Sequence, residues 1–181
     1  MAALDATDEV RLGTRPLKDS LYGDLVWSRP HLFRRELLLE AGSEILATIR
    51  WEKVLSFEAV GESADGRWIF ARKGGLRQRV EVLDPVTSEV LATFAGTWRG
   101  TGTLRFASGA EYTWNREGFW RTKRFWSSPR QERLIAHASR VGWHSRYELE
   151  VGPGALRLAE LPVLVLLGAY LMTMESQKSS H

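Results

Sequence analysis

Between about Leu21 and Val151 the chain reads as short strand-like runs, several of which alternate apolar with polar residues, and each run ends where a chain can reverse. The clearest is Arg146-Tyr147-Glu148-Leu149-Glu150-Val151, with Tyr147, Leu149 and Val151 on one side and three charges on the other. Val80 and Val82 likewise share a side opposite Arg79 and Glu81, and Leu55 to Ala59 puts its apolar side chains on a single face. A helix would scatter these positions around its circumference, so a period of two predicts strands. Turn residues separate the runs at Ala41-Gly42-Ser43, Ala64-Asp65-Gly66, Lys73-Gly74-Gly75, Asp84-Pro85, Ser108-Gly109 and Asn115 to Gly118. About twelve strands follow, near 22–27, 33–40, 44–50, 54–61, 67–72, 77–83, 89–95, 102–106, 110–114, 119–126, 132–139 and 145–151. Connections this short predict an antiparallel meander.

One strand pattern recurs. Ser43-Glu44-Ile45-Leu46-Ala47-Thr48-Ile49 returns as Ser88-Glu89-Val90-Leu91-Ala92-Thr93-Phe94, and Glu132-Arg133-Leu134-Ile135-Ala136-His137 is a looser third copy. Trp51, Trp98 and Trp143 follow the three copies. Chance likeness among strands is one explanation, and a duplicated hairpin unit of about 45 residues is the other. Three imperfect copies are too few for a propeller of that blade length.

After Gly152-Pro153-Gly154 the alternation stops. Leu161 to Met174 is a run without charge, apolar on every face, and Pro162 suits the first turn of a helix. Such a helix must be enclosed by protein or by lipid. It would cover roughly 21 Å against a hydrocarbon core of about 30 Å, and Arg157, Glu160 and Glu175 flank it, so a membrane span is disfavoured. A twelve-stranded sheet closed into a barrel has an interior that needs filling, and one helix about 10 Å across fills it. The expected fold is therefore mainly β: a closed antiparallel barrel wrapped around a hydrophobic C-terminal helix near 160–174. Residues 1–20 form an N-terminal arm, expected to be partly disordered; 21–175 form one domain, and 176–181 a disordered tail.

Composition narrows the chemistry. At 181 residues the chain suits one domain, and an apolar share of 44% suits a globular one. The absence of Cys removes disulfides, thiolate catalysis, iron–sulfur clusters and S-acylation. A net charge of +3 is too mild to mark a nucleic-acid binder. Met1 to Val10 carries three acids and no Lys or Arg, the opposite of a secretory signal, so the expected location is cytoplasmic, with peripheral contact to a membrane.

The strand Glu81 to Pro85, the strand Leu91 to Phe94, the Gly109 to Trp114 segment and the helix Leu161 to Met174 together resemble the tubby C-terminal-like superfamily. That group includes tubby proteins, phospholipid scramblases and LURP-one-related proteins. The resemblance spans about residues 20–175 and is one of pattern. It implies a barrel around a buried C-terminal helix and, through the tubby proteins, basic surface residues that meet phosphoinositides. The cysteine cluster and the acidic calcium segment of the scramblases are missing here.

Catalytic constellations are hard to find. No Gly-x-Ser-x-Gly elbow occurs, and the Gly-rich stretch Gly96 to Gly102 precedes no helix that could aim at a phosphate. His137 and His144 on neighbouring strands could approach each other, with Glu132 or Glu148, but no ligand spacing requires it. No catalytic residue, metal or cofactor is therefore expected. Glu58, Glu81, Glu111, Glu148 and Glu150 belong on the solvated outer face.

The most informative local feature is basic and aromatic, Phe119 to Trp126, with Phe119, Arg121, Lys123 and Phe125 on one face and Trp120, Thr122, Arg124 and Trp126 on the other. A second basic group, Arg72, Lys73, Arg77 and Arg79, flanks the Gly74-Gly75 turn. Cations beside amphipathic rings suit an anionic membrane surface, where each Lys or Arg is worth about 1 kcal/mol. The candidate lipid-binding set is Arg72, Lys73, Arg77, Arg79, Trp120, Arg121, Lys123, Arg124 and Trp126. Alternatively, the Trp residues pack into the barrel and the Arg stems cover them. The expected role is a non-catalytic binding or scaffold module that meets anionic lipid headgroups or a protein partner. The competing roles are a scramblase-like membrane-active protein that uses its helix, and a small hydrolase or metal enzyme.

Overall fold

The computed structural model describes residues 11–30, 35–52, 56–74, 78–97, 99–117, 123–130, 132–139 and 146–178. Twelve antiparallel strands run in a meander: β1 Leu25–Ser28, β2 Glu36–Ala41, β3 Glu44–Arg50, β4 Ala59–Ser63, β5 Gly66–Lys73, β6 Arg79–Leu83, β7 Val90–Gly96, β8 Gly102–Phe106, β9 Glu111–Glu117, β10 Lys123–Ser127, β11 Arg133–Ser139 and β12 Arg146–Val151. Pairing of β1 with β12, Trp27 opposite Tyr147, closes the barrel. One helix follows, α1 Leu161–Lys178.

The helix lies inside. Leu164, Val165, Leu166, Leu167, Ala169, Tyr170 and Leu171 point in all directions around it, and none has exposed surface. Inward residues of the strands meet it, since alternation sends one face of every strand to the axis. Trp126 donates its indole N–H to the Leu164 carbonyl at 2.8 Å. Phe70 packs on Tyr170 with ring centroids 5.5 Å apart, and Trp114 on Trp126 at 4.6 Å. Gly61 leaves room for Phe70, because a Cβ there would come within 2.7 Å of its ring.

The recurring pattern proves to be architectural. Its copies are β3, β7 and β11, each the third strand of a four-stranded unit, and three units complete the circle. Each copy carries a bulge at the same leucine: Leu46, Leu91 and Leu134 are skipped in pairing with the preceding strand. Equivalent inward positions then follow. Trp27, Phe70 and Trp114 correspond, as do Leu39, Val82 and Trp126, and Ile49, Phe94 and His137.

Several boundaries differ from expectation. Strand β1 starts at Leu25 and not near 22, and β9 runs through Asn115, expected as a turn residue, to Glu117, because it stays paired with β10. The segment Ser56 to Glu58 is not strand, and Phe57 is exposed, because the chain must cross the barrel end before β4 starts at Ala59. The arm expected over residues 1–20 joins the core from Leu17, which is buried within a short 3-10 turn, Leu17–Asp19, held by its N–H to Asp65 Oδ2 at 2.9 Å. Finally, α1 continues past Met174 to Lys178, since Glu175 is tied to the barrel by Arg124. No helix among the described residues is long and apolar enough to cross a membrane.

Candidate functional site

In an antiparallel meander alternate connections lie at the same end. The β5–β6, β7–β8 and β9–β10 connections, around which both basic groups cluster, therefore open at one end of the barrel, together with β1–β2, β3–β4 and β11–β12. It is also the end toward which α1 runs: Tyr170 donates its hydroxyl proton to the Phe57 carbonyl at 2.5 Å, and Arg124 at the start of β10 clasps Glu175. We call this end the exit rim.

Strand alternation splits the sequence candidates at that rim. Lys73, Arg79 and Lys123 lie on the outer face, whereas Arg72 and Arg124 lie on the inner one. Several are already occupied. Arg79 pairs with Glu81 at 3.2 Å, and Lys123 reaches over β11 to Glu150 at 2.9 Å. Arg124 is only 6% exposed, with Nη2 2.6 Å from Glu175 Oε2. Trp126 has no exposed surface and contacts the helix, so its place in the lipid-binding set is corrected: it is core, because the inward register of β10 leaves it nowhere else to go. Arg77, Trp120 and Arg121 lie outside the described residues, as do His144, Trp98 and Trp143.

Arg72 and Lys73 keep an accessible position. The Arg72 guanidinium sits 4.8 Å from the centre of the Phe57 ring, and its buried Nε has no hydrogen-bond partner. Phe57 is 46% exposed, so an aromatic face and a cation stand together at the rim. Behind them Arg35 lies 5.7 Å over Trp51, which stacks on Tyr170. Burial holds the Tyr170 phenol well above its usual range, so it stays a hydrogen-bond donor.

The threefold register also yields residues missing from the candidate set. In each unit the inward aromatic is followed two positions later by an arginine: Trp27 by Arg29, Phe70 by Arg72, Trp114 by Arg116. All three arginines come at the exit rim, one per third of the barrel, and Arg29 and Arg116 are exposed. The signal was present in the sequence as aromatic-x-Arg at a spacing close to that of the strand repeat, but only the register shows that the positions correspond.

Among the described residues His137 has no hydrogen-bond partner. It is sealed against Gly168 of α1, and burial lowers its pKa to about 3. Among the described residues no group of three metal-ligating side chains comes together. Glu81, Glu111 and Glu150 face outward in ion pairs with Arg79, Arg105 and Lys123. No protein-family model matches this chain, and neither a curated protein nor a solved structure matches it.

Proposed function

We propose that this chain is a non-catalytic binding module, a tubby-like barrel that contacts anionic phospholipid headgroups at a membrane surface through its exit rim. The supporting observation is the recurrence of Arg29, Arg72 and Arg116 at equivalent positions on one rim, beside the exposed Phe57. A ring of cations on one end presents them to a flat surface together, whereas cations scattered around a barrel would meet it one at a time. At about 1 kcal/mol each, three such arginines give a weak, salt-sensitive association, and Phe57 adds apolar contact at the headgroup level. Lys73 lies close enough to contribute.

Vesicle sedimentation tests this. The full chain is expected to co-sediment with anionic vesicles at low salt and to be released at high salt, with little binding to neutral ones. Reversing Arg29 and Arg116 together to Glu should lower partitioning at least tenfold. Reversal of Arg105, which lies toward the opposite end and pairs with Glu111, should leave it unchanged. Equal indifference to neutral and anionic vesicles ends the proposal.

A further inference from the structure

The third four-stranded unit departs from the other two at one interior place. Arg124 and His137 are cross-strand partners on β10 and β11; the equivalent pairs are Leu37 with Ile49 and Val80 with Phe94. Both members of the polar pair are buried. Neither imidazole nitrogen has a hydrogen-bond partner, and Arg124 Nη1 and Trp114 Nε1 also lack one. On the helix side a Cβ at position 168 would overlap His137 Nε2, so Gly168 is the notch into which the imidazole fits. Two turns further along α1, Glu175 accepts from Arg124 Nε at 2.8 Å.

An apolar cage accepts a neutral imidazole far better than a charged one. We propose that the Arg124–His137 pair makes the barrel's hold on the C-terminal half of α1 acid-sensitive, so that a proton added to His137 loosens the helix from Gly168 onward. The groups around the imidazole favour that outcome. Arg124 faces it from β10, with Arg116 beside Arg124 on β9, while β12 offers Leu149 and Tyr147 and β9 the Trp114 ring, 5.7 Å away. The nearest acid from the helix is Glu175, already engaged by Arg124. A protonated His137 would therefore be a buried cation with no hydrogen-bond partner and no carboxylate of its own, and burial is what disfavours it.

The direction with pH follows. In the closed barrel burial lowers the His137 pKa from 6.5 to about 3, whereas a loosened helix exposes the imidazole and restores its ordinary value. Above pH 7 the closed form is unaffected. As pH falls from 6.5 toward 3 the open form binds the proton first, and the open-to-closed ratio rises about tenfold per unit, about 100-fold by pH 4.5.

Amide hydrogen exchange on the full chain, corrected for intrinsic rates, tests this at pH 7.5 and 4.5. Amides of residues 168–178 should lose about 100-fold protection at pH 4.5, with β6 to β8 retaining theirs. His137→Phe, which copies the second unit, should remove most of that response. In parallel, the His137 ring signals followed by NMR in the unsubstituted chain should show no titration near pH 6.5. An imidazole that titrates near 6.5 in the closed fold overturns the proposal. So does an acid response shared by His137→Phe, or one spread evenly over all twelve strands. Should His137→Phe fail to fold, the NMR titration and the exchange pattern of the unsubstituted chain decide alone.

Discussion

Gly168 leaves the space that His137 fills, since a Cβ there would overlap the imidazole. Gly168→Ala tests this, because two effects compete. Alanine favours a helix interior over glycine by about 1 kcal/mol, whereas overpacking a filled core costs about 1–3 kcal/mol. The imidazole is caged by Trp114 and the strands and cannot retreat, so the steric effect wins. The substitution should lower the denaturation midpoint, with a loss of about 2 kcal/mol in stability, and His137→Ala in the same chain should recover part of that loss. A midpoint raised by Gly168→Ala would show that the notch is not filled. Trp126 carries a related lesson: beside three basic residues it read as a surface anchor, and the inward register of β10 instead buries it against Leu164.

At the scale of elements, α1 is held by packing along its length, by the Trp126 and Tyr170 hydrogen bonds, and by the Arg124–Glu175 ion pair near its end. Arg124 occupies a position that Leu37 and Val80 fill in the other units, so its charge is an exception in an apolar layer. Removing one partner of a buried pair leaves the other charge unpaired, at about 3–5 kcal/mol, whereas replacing both by apolar residues is near neutral. Glu175→Ala should therefore destabilise the fold by about 3 kcal/mol, and Arg124→Leu with Glu175→Leu should return to within about 1 kcal/mol of the starting stability. Chemical denaturation of the unsubstituted chain and the two variants checks this, and a double variant no more stable than Glu175→Ala would refute it. Strands such as β4, β6 and β12 were legible from period-two alternation because one face of each is turned to the barrel interior, whereas β2, β3 and β11 are buried in continuous runs and were marked by the turn residues that bound them. Ser56 to Glu58 misled that reading, since apolar Phe57 belongs to the rim and not to the core.

For the whole molecule the closed sheet and the helix are mutually dependent. Without α1 the inward rings of Trp27, Phe70, Trp114 and Trp126 would line an empty interior, and cavities of that kind are strongly destabilising. A chain ending at residue 160 should lack dispersed NMR signals and near-ultraviolet dichroism; a native-like spectrum would contradict the role of the helix as core.

What the sequence determined by itself was a count of eleven or twelve strands, their antiparallel order and the need to enclose the helix. These follow from local periodicity, from turn residues and from the cost of leaving an uncharged, largely apolar run of fourteen residues in water. The tertiary structure decided which residues correspond across the three units, which cations are spent on internal carboxylates, and that Arg29, Arg72 and Arg116 share a rim. Those outcomes depend on register around a closed circle, where one bulge shifts every later side chain, and no local pattern carries that information.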